Sequence, residues 1–210
     1  TGDVSGASIA NFANAGARAL GVQEPFGPGT GYDSNLGGQL DRFLAATGGS
    51  VAPSSTAVLF IGSNDFSDFI GAAVGAPGSN IFDVIGAATE AVTARLATLE
   101  AAARTIDATG MGTIYFGTLP AASFFSAADD LDDLEAGVAD VALALYNLAL
   151  ADLADDLSDE GIDVQIIDYA ALANAVTEDP SGFGIIADRD DFLIDGTSLD
   201  SDQVGFWDPI

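Results

Sequence analysis

The stretch Phe60-Ile61-Gly62-Ser63-Asn64-Asp65-Phe66 closes a short apolar run with a glycine, a hydroxyl, a carboxamide and a carboxylate. Residues of those types at the end of a buried strand can form a plain turn, or a loop that does chemistry. Asn64 and Asp65 can also cap a helix beginning near Ser67. The chemistry open to the chain is narrow, because its 210 residues include no cysteine and no histidine. That excludes disulfides, thiolate nucleophiles and thiolate metal sites, and any imidazole base, ligand or pH switch within these residues. A second carboxylate-rich stretch holds Asp188, Asp190, Asp191, Asp195, Asp200 and Asp202. Oxygen-rich loops can bind Ca²⁺, but EF-hand spacing is absent, and a solvated acidic loop is the preferred reading. No other metal and no cofactor is expected.

These residues need elements to place them. Thr56 to Ile61 is a compact β-branched and aromatic run and predicts a strand that ends at Gly62. Upstream, Ile9 to Gly16 predicts a short strand running into a glycine-bearing turn, and residues 21–35, rich in Gly and Pro, predict a loop. Leu36, Leu40, Phe43 and Leu44 share one helical face, stopped by Gly48-Gly49. After a predicted loop at 71–79, Ile81 to about Asp107 predicts a helix, with Glu100 and Arg104 as a favourable i,i+4 pair, ended by Gly110 and Gly112. Thr113 to Thr118 predicts the next strand, closed by Leu119-Pro120.

The longest predicted helix runs from about Asp129 to Ser158, with Leu131, Leu134, Val138, Val141, Leu145, Leu148 and Leu153 as its apolar positions. Asp129, Asp130, Asp132 and Asp133 suit its positive N-terminal end. Asp155, Asp156, Asp159 and Glu160 sit at the wrong end for the dipole, with no compensation visible in the sequence. Gly161 ends the helix and Ile162 to Asp168 predicts a further strand. Alternating strands and helices predict an α/β fold, a mostly parallel sheet covered on both faces in three α/β/α layers. Length and core size give no reason to divide residues 1–210 into more than one domain. Open sheets of this kind bind ligands at the carboxyl ends of their strands, where Gly62, Ser63, Asn64 and Asp65 fall.

Thirty-two acidic residues against five arginines and no lysine give a formal charge of -27. A field of that sign repels nucleic acid and anionic membrane surfaces, so neither is an expected partner. A saline setting, secreted or at the cell surface, is one expectation from composition; a merely acidic, soluble surface that needs no particular habitat is the other. Apolar runs interrupted by Asp, Gly and Pro predict no transmembrane segment. The early residues lack the basic start of a signal peptide. Composition does not set the oligomeric state.

Taken together, several blocks resemble the GDSL-type esterases and lipases of the SGNH hydrolase superfamily, whose fold is flavodoxin-like α/β/α. Asn11 to Gly16, NFANAG, resembles the family's second block; Gly62 to Asp65, GSND, the third; and Phe206 to Ile210, FWDPI, the start of the last. The pieces GGQLDRFLAATGG, TIYFGTLP and VQIIDYAALANAV lie between them in the family's order, so the resemblance covers essentially the whole chain. By position it implies oxyanion donors at Gly16, through its backbone N–H, and at Asn64, through its side-chain amide. It implies that Asp208 is the triad carboxylate, which orients a histidine. Asp65 is expected to brace the turn after Asn64 rather than touch substrate. Trp207 is expected to pack near the site. Tyr32, Phe66 and Phe69 either line an acyl pocket or pack in core and loops.

The family pattern is also incomplete here. The histidine that follows the aspartate would fall one position past Ile210. Gly2-Asp3-Val4-Ser5 mimics the serine box but has valine at the serine position, too close to Gly16 for a βαβ crossover of about a dozen residues or more. Ser5 is therefore not assigned as nucleophile, and the domain is expected to be truncated at both ends. The resemblance implies serine ester hydrolysis by a full-length parent acting on a small ester or lipid, with this chain inactive alone. Two alternatives stay open: a non-catalytic ester- or glycan-binding module on the same scaffold, or the passenger of a larger surface-anchored protein.

Overall fold

The structure is a computed structural model that describes residues 3–4, 7–14, 16–21, 33–69, 81–124 and 131–183. Its elements, in chain order, are β1 (Asp3–Val4), β2 (Ala7–Ser8), α1 (Leu36–Thr47), β3 (Thr56–Leu59), α2 (Ser63–Phe69), α3 (Ile81–Asp107), β4 (Thr113–Gly117), α4 (Asp133–Asp159), β5 (Val164–Ile167) and α5 (Tyr169–Glu178). β3, β4 and β5 form a parallel sheet in that order, with Leu59 opposite Phe116 and Phe116 opposite Ile166. β1 and β2 pair separately as an antiparallel ribbon. The architecture is the expected α/β/α. Ile61, Ile114, Phe116 and Val164 pack on the sheet face that α3 and α4 cover. On the other face, Tyr169 at the start of α5 meets Phe60, their rings 4.5 Å apart beside Gly117.

Small residues let the two long helices approach closely. Ala102 and Ala103 of α3, and Ala139 and Ala142 of α4, are buried among Leu99, Leu143, Tyr146, Leu150 and Leu157. Each fully buried large apolar side chain contributes about 1.5–3 kcal/mol to burial, so this seam carries much of the core energy. The seam is not the stripe expected from the sequence. Val141, Leu145 and Leu148 of α4 are 58%, 51% and 62% exposed. The helix is apolar nearly all round, and its alanine-rich side is the one that fits α3. Residues Glu135–Asp159 are in fact long and apolar enough to cross a membrane by length and composition, which the interrupted-run argument did not anticipate. Ala139, Tyr146, Leu150 and Leu157 of that helix are nevertheless buried inside the protein.

Three boundaries differ from expectation for identifiable reasons. Residues 9–14 form no strand. Asn11 Oδ1 accepts the Ala13 N–H at 2.9 Å, and Asn14 Nδ2 donates to Phe12 O at 3.1 Å, so local asparagine turns displace ladder bonding. α4 begins at Asp133 because Asp132 caps it. Glu135 N donates to Asp132 Oδ1 at 2.9 Å and Asp132 N to Glu135 Oε2 at 3.0 Å, a reciprocal capping box. Asp129 and Asp130 lie outside the described residues. β5 stops before Asp168, whose carboxylate accepts the Ala171 N–H as the N-cap of α5.

At the far end of α4, one misplaced carboxylate does have a partner. Arg104 of α3 is paired with Glu160 as well as Glu100, through Nη2 at 3.0 Å and 2.9 Å respectively. The guanidinium holds Glu160 below the usual carboxylate range. Such exposed pairs stabilise little, whereas self-repulsion of a chain with charge -27 acts over the whole surface. Raising NaCl from about 0.1 M to about 1 M shortens the screening length from roughly 10 Å to 3 Å. The thermal midpoint should therefore rise by at least about 4 °C, the shift that 1–2 kcal/mol produces at this size. A flat or falling midpoint across the series would mean that the arginine pairs outweigh the repulsion.

Candidate active site

The loop 16–21 and the start of α2 meet at one place, joined by side chains that replace backbone ladders. Gly16 has φ 72, a left-handed conformation glycine adopts without steric cost, and Ala17 N donates to Asn14 O across the turn. Gly62 leaves β3 at φ 116, a region closed to L side chains, and its carbonyl accepts the Phe66 N–H in the first turn of α2. The strand can therefore reverse into helix within a residue or two, which puts Asn64 and Asp65 in the first turn of α2.

Those two side chains do not cap a helix near Ser67. Asn64 Nδ2 donates to Ala17 O at 2.9 Å. Asp65 accepts the Ala19 N–H at 2.7 Å and the Leu20 N–H at 3.2 Å, one on each carboxylate oxygen. Asn35 completes the frame: its Oδ1 accepts Arg18 N at 2.9 Å and its Nδ2 donates to Leu20 O at 2.8 Å. Leu36 N donates to Arg18 O at 3.0 Å. Arg18 itself pairs with Asp68 of α2, its Nη2 3.0 Å from Oδ1, which raises the arginine pKa and lowers that of the aspartate, the hydrogen bond being the main cause of both shifts.

The structure thus brings Gly16, Asn64 and Asp65 to one locus at the carboxyl end of β3. The two amide contacts of Asp65 go to Ala19 and Leu20 of the 16–21 loop, not to the turn after Asn64. Phe66 and Phe69 are 0% and 8% exposed and belong to the core, packed edge-to-face on one another. Asp208, Trp207, Tyr32, Ser5 and the acidic stretch 188–202 lie outside the described residues. Among the described residues, no group of three or more acidic side chains is arranged to hold a metal.

Two participants were not expected from the sequence. Asn35 precedes α1 and reads as its N-cap, yet it makes no side-chain capping bond and turns to the loop instead. Arg95 of α3 approaches Asp65 from the core side, its Nε 3.7 Å from Oδ1 with both side chains almost fully buried. A signal for Arg95 was present: it falls on the buried periodicity of α3 between Val92 and Leu99, where an apolar residue would be ordinary.

Chemically, a carboxamide and a glycine N–H near the end of a parallel strand can stabilise negative charge that develops on a carbonyl oxygen. No curated protein matches the chain. The family model for GDSL-like Lipase/Acylhydrolase matches residues 2–208, nearly the whole sequence. That family's general activity is ester or acyl hydrolysis, and the parallel three-stranded sheet with its flanking helices accords with the family's α/β fold. The chain belongs to the GDSL-like lipase/acylhydrolase family.

Proposed function

We propose that this chain supplies the oxyanion hole and the orienting acid of a serine ester hydrolase. Its Gly16 N–H and Asn64 side-chain amide bind the oxyanion of the tetrahedral intermediate, and Asp208 orients a histidine. In the natural polypeptide that carries it, a serine attacks the ester carbonyl, the alcohol leaves, and water then releases the acid from the acyl-enzyme. The observation that carries this reading is the Asn64 Nδ2 to Ala17 O bond, which ties the residue that follows the second family block to the third block at the carboxyl end of β3. The substrate is a small ester or lipid, met outside the cell or at its surface in a saline setting.

The 210 residues hold no imidazole, and a serine hydroxyl near its free pKa is a poor nucleophile without an adjacent base. The chain alone should therefore hydrolyse a short p-nitrophenyl ester no faster than buffer, while its natural polypeptide does so with sensitivity to a serine-directed inhibitor. An inhibitor-sensitive rate from the chain alone would overturn the claim that it is inactive by itself. No rate from the natural polypeptide would overturn the hydrolase reading. The lack of histidine in the chain favours, as a second reading, a non-catalytic module that binds an ester or glycan at the same locus.

A further inference from the structure

Arg95 has no part in that scheme, and its surroundings are costly for an arginine. It is 3% exposed. Its Cζ lies 4.6 Å from the centre of the Phe66 ring, and Tyr146 packs edge-to-face on the same ring. Among the described residues, Nε and Nη1 of Arg95 are buried without a hydrogen-bond partner, as is the Tyr146 hydroxyl. Desolvation pulls the arginine pKa down, against the attraction of Asp65. An apolar side chain of similar volume would fill this space without burying a cation or leaving its donors unmade. It could not, however, balance a carboxylate. Asp65, 4% exposed, gives its two oxygens to the Ala19 and Leu20 amides, and Arg95 is the cation packed against it.

We propose that Arg95 is a positioning residue for the oxyanion loop. By pairing with Asp65 and covering Phe66, it fixes the start of α2 against the 17–20 backbone. Through the Asn64 bond to Ala17 O, that contact sets where Gly16 and Asn64 stand relative to one another. The inference rests on the reading of those two residues as oxyanion donors. Misplacement by about 1 Å at such a site costs on the order of 100-fold in rate, so a residue that touches no substrate can govern turnover.

Two measurements on Arg95→Met, Arg95→Lys and the control Arg104→Met test it. In the 210-residue chain, amide exchange at Ala19 and Leu20 should speed up by at least about tenfold in Arg95→Met. Exchange in β4 and the α3–α4 seam should stay as in the parent, and Arg95→Lys should recover most of the lost protection. In the natural polypeptide, Arg95→Met should lower kcat by about 10- to 100-fold with KM within roughly twofold, with partial recovery in Arg95→Lys and no change in Arg104→Met. Exchange that quickens uniformly through the core, or not at all at Ala19 and Leu20, overturns the proposal, as does a kcat loss that lysine fails to relieve. If Arg95→Met does not fold, Arg95→Lys and Arg95→Gln carry the same comparison. If the natural polypeptide proves not to be a hydrolase, the exchange result still decides whether Arg95 positions the loop, so the two claims fail separately.

Discussion

Asp65→Ala should destabilise the fold by about 3–5 kcal/mol, because it leaves the buried Arg95 without its counter-charge. The substitution also strips the Ala19 and Leu20 amides of their acceptor, and water has little access to a residue that is 4% exposed. Against a total stability of roughly 5–15 kcal/mol, a loss of that size is visible in urea unfolding as a large fall in midpoint at unchanged slope. The double variant Asp65→Ala with Arg95→Met should lose less than the sum of the two single losses, with a coupling of about 0.5–3 kcal/mol. Asp65→Asn keeps the shape and one acceptor oxygen and should fall between parent and alanine. A loss below about 1 kcal/mol for Asp65→Ala would show that the loop 16–21 is held chiefly by Asn35.

Asn64→Ala in the hydrolytic polypeptide should reduce kcat by about 10²–10³, equivalent to roughly 3 kcal/mol of lost transition-state stabilisation. KM should change little, since in the proposed role the amide acts on charge that develops only as the carbonyl becomes tetrahedral. Asn64→Asp is the sharper comparison. It preserves size but can donate neither to the oxyanion nor to Ala17 O, 2.9 Å away in the parent, and it adds negative charge where negative charge must form. It should be slower than the alanine variant. Near-parent kcat in Asn64→Ala would remove this residue from the mechanism and leave its bond to Ala17 as its whole role.

The parts of this fold that announced themselves in the sequence are those set by neighbours along the chain. α3 spans Ile81–Asp107 as its Ala-, Leu- and Thr-rich composition and the glycines after it predict, and α1 ends at Gly48, φ 64, as the paired glycines require. Local chemistry also misled where two signals competed. The apolar residues at 9–14 suggested a strand, but Asn11 and Asn14 bond their own neighbours. In α4 two apolar stripes were present, and only the fit of Ala139 and Ala142 against α3 decides which is buried. Within the candidate site, the family blocks pointed to Gly16, Asn64 and Asp65, and the fold places Asn64 and Asp65 against the backbone that follows Gly16. Asn35 and Arg95 were not marked in this way, since each acts on residues 15 or more positions away, and an arginine on the buried side of an alanine-rich helix says nothing by itself about which carboxylate it meets.

The four arginines at described positions all serve as tertiary ties: Arg18 to Asp68, Arg42 to Phe12 O and Asp33 O, Arg95 to Asp65, and Arg104 to Glu160. The chain has five arginines in all and no lysine, so the peptide bonds that follow these four arginines are also the only ones in the described residues that trypsin can address. Arg42, Arg95 and Arg104 lie inside α1 and α3, and a protease needs an extended backbone to cut. Tryptic cleavage after Arg95 in otherwise native protein therefore requires α3 to open at the centre of the fold, and while reclosing outpaces cleavage the rate of that cut measures the fraction of molecules in which α3 is open.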